Sequence, residues 1–112
     1  MKLLVCGGRD YTDRAAFDAA MSKLPFTPTL VIEGGALGAD RMGREWAQER
    51  GIHFATVPAL WGHYAKGAGG KRNTAMLLIE PNYCVALPGG TGTADMVDKC
   101  LDAGIPVYAP YE

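Results

Sequence analysis

Tyr83-Cys84-Val85-Ala86-Leu87-Pro88-Gly89-Gly90-Thr91-Gly92-Thr93-Ala94-Asp95 is an apolar run that breaks into a glycine-rich turn. The run predicts a buried strand, and Met96, Val97, Cys100 and Leu101 after it are spaced as one apolar face of a helix. A strand that turns through glycines into a helix is the building unit of parallel α/β sheets. The unit recurs upstream: Val5-Cys6 runs into Gly7-Gly8-Arg9-Asp10, and Val31-Ile32-Glu33 runs into Gly34-Gly35.

Outward from these three turns, strands are predicted at Lys2 to Cys6, Thr29 to Ile32, His53 to Val57, Tyr83 to Leu87 and Val107 to Ala109. Helical stripes lie between them: Phe17, Ala20, Met21 and Leu24; Ala39, Met42, Trp46 and Ala47; Ala75, Met76 and Ile79. Trp46, Met42, Met76 and Met96 fall on these stripes and read as core. The alternation predicts an α/β fold with a mostly parallel five-stranded sheet, right-handed crossovers and helices on both faces. Asp13 is the expected N-cap of the first helix, and Gly51 and Gly104 close the second and the last. Pro106 and Pro110 suit an edge strand, which tolerates a missing N–H. Ala59 to Gly70 reads as a long, functional or mobile loop.

The 112 residues, 48% of them hydrophobic, form a core large enough for one domain over 1–112 and leave no room for a second. A net charge of -1 removes the positive field with which most nucleic-acid-binding domains attract phosphate backbones, so nucleic acid is not the expected partner. No apolar run approaches the roughly 20 residues that span a bilayer, and the N-terminus lacks a signal-peptide core. Cys6, Cys84 and Cys100, an odd number without C-x-x-C spacing, read as buried thiols of a reducing cytoplasm. His53 and His63 pair at helical spacing neither with each other nor with a cysteine, so no metal is expected. Nor does any motif call for a cofactor.

In a parallel sheet all three glycine pairs lie at the carboxyl ends of the strands, where open α/β sheets bind ligands. The second and third turns share a frame: Gly34-Gly35-Ala36-Leu37-Gly38-Ala39-Asp40 and Gly89-Gly90-Thr91-Gly92-Thr93-Ala94-Asp95 agree at both glycines, the alanine and the aspartate. Glycine lets backbone N–H groups approach a phosphate, and the following helix N-terminus adds unsatisfied donors and about half a positive charge. The acids Asp10, Asp40 and Asp95 would repel a bare phosphate but accept hydrogen bonds from ribose hydroxyls. Donors beside acceptors point to a nucleotide or a ribose phosphate. For a single turn, steric need alone explains the glycines and helix stability the acid. Three on one edge favour a ligand site. Two other phosphate fingerprints fail: Gly70-Lys71-Arg72 lacks the first glycine and the hydroxyl of a Walker loop, and Gly90-Thr91-Gly92 has Asp95 where a G-x-G-x-x-G motif needs glycine.

At these residues the chain resembles the SLOG superfamily, which joins the LOG phosphoribohydrolases with the DNA-processing Smf/DprA proteins, and most closely its small YspA-type branch. Four motifs in order carry the resemblance: Val5 to Asp10, Gly34-Gly35 through Gly38-Ala39-Asp40, Ala68-Gly69 through Arg72-Asn73, and Pro88 to Asp95. It implies a Rossmann-like domain that binds nucleotides or nucleotide-derived ligands. The LOG enzymes cleave the N-glycosidic bond of cytokinin ribotides and carry R-K-x-x-M and P-G-G-x-G-T-x-x-E. Here Arg72-Asn73-Thr74-Ala75-Met76 keeps the Arg and Met but not the Lys, and Met96 stands in place of the Glu. Asp95 is one residue early, about 100° around a helix. LOG-type relatives also dimerise, which implies a homo-oligomer.

The binding residues expected are therefore Gly7, Gly8, Arg9, Asp10, Gly34, Gly35, Gly38, Asp40, Arg72, Asn73, Pro88, Gly89, Gly90, Thr91, Gly92, Thr93 and Asp95. Lys71 and Arg72 at a helix start are unfavourable by dipole, and an anionic ligand gives a reason for them, with Arg72 able to fork onto a phosphate. Arg9 carries the same two readings, ligand contact or solvated surface. Trp61, His63, Tyr64 and Lys66 form an aromatic lid or pin their segment to the domain. The function expected is a sensor or sequestering domain for a nucleotide-like small molecule. The competing one is an N-glycosidase or phosphoribohydrolase acting on nucleoside monophosphates through Asp95, Asp40 or Asp10.

Overall fold

The computed structural model describes residues 1–111. In chain order the elements are β1 (Lys2–Cys6), α1 (Arg14–Ser22), β2 (Leu30–Glu33), α2 (Ala39–Glu49), β3 (His53–Thr56), α3 (Trp61–Tyr64), α4 (Ala68–Leu77), β4 (Tyr83–Ala86), α5 (Thr91–Asp102) and β5 (Val107–Tyr108). All strand pairings are parallel, in the order β3-β2-β1-β4-β5.

The core follows from the two-residue period of the strands. Leu3 and Val5 of β1 enter one apolar cluster and Leu4 and Cys6 the other, and Val85 separates from Cys84 and Ala86 in the same way on β4. The first cluster is sealed by Phe17 and Met21 of α1 and by Trp46 and Ala47 of α2. The second is sealed by Met76 of α4 and by Met96 and Cys100 of α5. Central strands buried on both faces explain why the sequence shows continuous apolar runs rather than alternation.

Topology then fixes where the sheet opens. From β1 the chain steps outward to β2 and β3, returns across β1 to β4, and continues to β5. The reversal puts the switch point between β1 and β4, so the turns after these two strands diverge and leave a crevice at their carboxyl ends.

The element ends obey local chemistry. Asp13 caps α1 by accepting the Ala16 N–H at 3.0 Å, and Gly51 and Gly104 take the left-handed conformation (φ 66° and 75°) that closes α2 and α5. β5 pairs only with β4, and Cys84 N–H donates to the Pro106 carbonyl at its entrance. The strand at 30–33 runs one residue later than expected, which takes the wholly buried Glu33 into the sheet. The expected loop at 59–70 is instead α3, a 3₁₀ turn over Ala65–Gly67, and the first turn of α4. Lys71 and Arg72 consequently lie in the second turn of α4 rather than at its start. The three cysteines are free and buried. Among the described residues no helix is long and apolar enough to cross a membrane.

Candidate functional site

The three strand-end turns are joined through the backbone of one residue. The Gly8 N–H donates to the Pro88 carbonyl at 2.8 Å, and the Gly8 carbonyl accepts from Tyr11 N–H at 3.1 Å and Ala39 N–H at 3.2 Å. Such backbone contact leaves no room for side chains. A Cβ on Gly7 would lie 2.5 Å from the Ala39 Cβ, one on Gly89 would lie 2.8 Å from the Gly8 nitrogen, and one on Gly38 would land on the Gly8 carbonyl oxygen. Gly38 also needs its positive φ of 74°.

Above this junction lies a cavity of about 860 Å³, within the range of small-ligand sites. From the β1 turn it is lined by Gly7, Gly8, Arg9, Asp10 and Tyr11. Pro88, Gly89, Gly90, Thr91, Gly92, Thr93 and Asp95 line it from the β4 turn and α5. Arg72, Asn73, Gly69 and Gly70 come from α4, Trp61 and Lys66 from the segment before it, and Ala36 and Asp40 from the β2 turn. Gly34, Gly35 and Gly38 do not line it: Gly34 and Gly38 are taken up by packing, and Gly35 holds the turn itself (φ 78°).

The shared frame of the second and third turns gives two different structures. In the second, the helix begins at the alanine, so Asp40 is the second residue of α2 and reaches back to accept the Ala36 N–H at 3.2 Å. Two further donors of this turn are used within the protein: Ala39 N–H goes to Gly8 and Gly35 N–H goes to the Glu33 carboxylate, which Thr56 Oγ1 also binds. In the third, the helix begins three residues earlier in the frame, at Thr91, with Gly90 as its N-cap. Among the described residues nothing accepts the N–H groups of Thr91, Gly92 or Thr93, and a Cβ on Gly90 or Gly92 would meet nothing within 4 Å. The third turn therefore places the open donors of Thr91, Gly92 and Thr93, with no Cβ at Gly90 or Gly92, at the cavity.

Asp95, five residues into α5, faces α4. Its Oδ2 accepts from Asn73 Nδ2 at 2.9 Å and Lys99 Nζ at 2.7 Å, and these partners, Lys99 first, hold its carboxyl below the usual range. Asn73 also donates to the Gly92 carbonyl and accepts from Arg72 Nε, while Arg72 Nη1 donates to the Gly34 carbonyl at 2.7 Å. A continuous polar chain thus runs from the β2 turn through Arg72, Asn73 and Asp95 to Lys99. It explains Gly34, whose Cβ would collide with the Arg72 guanidinium. Met96, one residue on, is 1% exposed in the second apolar cluster. Among the described residues Arg9 and Asp10 make no side-chain hydrogen bond or ion pair, and both are exposed at the cavity mouth.

Burial pushes the Asp40 carboxyl from 3.8 up to about 6, against the opposing pull of the Ala36 N–H and the Arg72 charge. Glu33, Lys99 and Tyr11 were not singled out by sequence. Lys99 was signalled by its i,i+4 spacing from Asp95, whereas Glu33 and Tyr11 carry no local mark.

Residues 1–64 match the profile of the family described as YspA, cpYpsA-related SLOG. Over 116 aligned residues, 95% of this chain and 93% of the other, the chain is 34% identical to the Gene 61 protein of Mycobacterium phage D29. No solved structure matches it.

Two outcomes follow from this geometry. Gly38→Ala combines a forbidden φ with a backbone collision and is expected to destabilise the fold by more than about 3 kcal/mol. Gly92→Ala, in an open helical turn, is expected to be neutral or stabilising by up to about 1 kcal/mol. Urea unfolding of the two variants checks the contrast. For Asp40, the folded state holds a proton between pH 4 and 6 that the unfolded chain has released, so stability falls as pH rises through that window. The loss is on the order of 3 kcal/mol. Asp40→Asn should remove this decline, and parallel pH courses for variant and parent would show an ordinary carboxyl.

Proposed function

Because the chain belongs to the YspA, cpYpsA-related SLOG family, we propose that it binds a nucleotide or nucleotide-derived ligand with its phosphate at the N-terminus of α5. The observation that carries the reading is the set of open N–H donors of Thr91, Gly92 and Thr93, facing a cavity at the topological switch point. A helix start with no side-chain cap and no Cβ at Gly90 and Gly92 keeps the space and the donors that an anion uses. The exposed Arg9 adds charge at the mouth, and Asp10, with no partner of its own, is the acceptor left for a ribose hydroxyl.

The role proposed is that of a sensor or sequestering domain rather than a phosphoribohydrolase. The place of the LOG-type glutamate belongs to Met96, packed against the sheet among Cys84, Ala86 and Cys100. Asp95 Oδ2 is held on the α4 side by Asn73 and Lys99, so the glutamate's place offers no carboxylate to an oxocarbenium-like centre or a water, and the neighbouring carboxylate is tied to a cation.

Calorimetry with AMP tests the phosphate site. Gly90→Val places its side chain in open space above α5, so the fold should persist by circular dichroism while affinity falls at least tenfold. Unchanged affinity in a folded variant would remove the site. For turnover, the purified protein is expected to release no free base from nucleoside monophosphates. Rapid release that Asp95→Asn abolishes would establish the hydrolase instead.

A further inference from the structure

The two tryptophans of the chain stand in opposite situations. Trp46 is 6% exposed, packed in the first apolar cluster with the Arg50 guanidinium 4.4 Å over its ring. Trp61, at the start of α3, is 54% exposed and lines the cavity. An indole that pinned this segment to the domain would be buried against it. The aromatic contact of this segment with α4 is made by Tyr64 instead, whose ring carries the Lys71 ammonium at 4.9 Å. Trp61 is left with a large apolar surface in water, and Gly69 beside it keeps the neighbouring wall low: a Cβ there would touch the ring edge at 3.5 Å.

We infer that Trp61 is a stacking platform for a nucleobase, so the cavity selects base-bearing nucleotides over ribose phosphates. The inference rests on the phosphate reading of α5. The open backbone donors of α5 and the exposed indole line the same 860 Å³ space, so one end of the ligand meets N–H groups and the other an aromatic face. Stacking favours any base, because every base has a π-face, and it covers apolar surface that ribose 5-phosphate cannot cover.

The experiment compares AMP, GMP, CMP and UMP with ribose 5-phosphate by calorimetry and by tryptophan emission, in the parent chain and in Trp61→Leu and Trp61→Tyr. At least one nucleotide should bind on the order of tenfold tighter than ribose 5-phosphate and shift the emission of Trp61, with buried Trp46 as a constant background. Trp61→Leu should bring that nucleotide down to the affinity of ribose 5-phosphate and leave ribose 5-phosphate unchanged, while Trp61→Tyr keeps most of the preference. Equal binding of ribose 5-phosphate and all four nucleotides by the parent overturns the stacking role and leaves the phosphate site standing. An equal loss for both ligand types in Trp61→Leu also overturns it, since the residue would then only hold the wall in place. Failure of ribose 5-phosphate and nucleotides alike to bind overturns the phosphate reading and the inference with it.

Discussion

The backbone of Gly8 is the constraint on which the site depends. Its N–H is spent on Pro88 and its carbonyl on Ala39 and Tyr11, so the turns after β1 and β4 and the start of α2 are fastened at backbone distance. Side chains cannot intervene, which is why Gly7, Gly38 and Gly89 crowd around it. One consequence is mechanical: three loops that would each be mobile alone form a single floor. Another is electrostatic. The first N–H of α2, that of Ala39, is consumed in the fastening, while those of Thr91, Gly92 and Thr93 in α5 stay free.

Glycines in strand-end turns thus serve two purposes here, and the space around each separates them. Gly7, Gly34, Gly38 and Gly89 are required by the protein's own atoms, whereas Gly90 and Gly92 adjoin emptiness. A chain under packing constraint alone gains nothing from glycine at the first turn of α5, where alanine would hold the helix better by up to about 1 kcal/mol. The proposed phosphate site gives a reason for the stability forgone there.

The fold was legible because burial on both faces gives continuous apolar strands, and the carboxyl-edge glycines marked the crevice before any topology was known. What could not be read was the difference between two turns with the same frame. Asp40 and Asp95 hold equivalent places in sequence, yet α2 begins at the alanine and α5 three residues before it. That choice is made by tertiary neighbours: Gly8 takes the Ala39 N–H, and Asn73 draws Asp95 toward α4. Neither partner is near in sequence. The short helix α3 was hidden for a local reason, since Trp61-Gly62-His63-Tyr64 contains a glycine and is too brief for a 3.6-residue period to show. Its exposed tryptophan was visible; its freedom from the task of anchoring was not.

The cations of the site also divide by commitment. Arg72 is held by Gly34 and Asn73, Lys99 by Asp95 and Gly70, and Lys71 by Tyr64. Arg9 and Lys66 are the cavity-lining cations whose side chains make no hydrogen bond or ion pair among the described residues. With a net charge of -1, the chain has little long-range field to steer an anion toward the cavity. In the proposed reading recognition comes from contact: fixed N–H dipoles whose orientation costs nothing when the ligand arrives, and an aromatic face with no charge to screen. Such a site gains from the rigidity of the Gly8 junction, because donors held in place lose little entropy on binding.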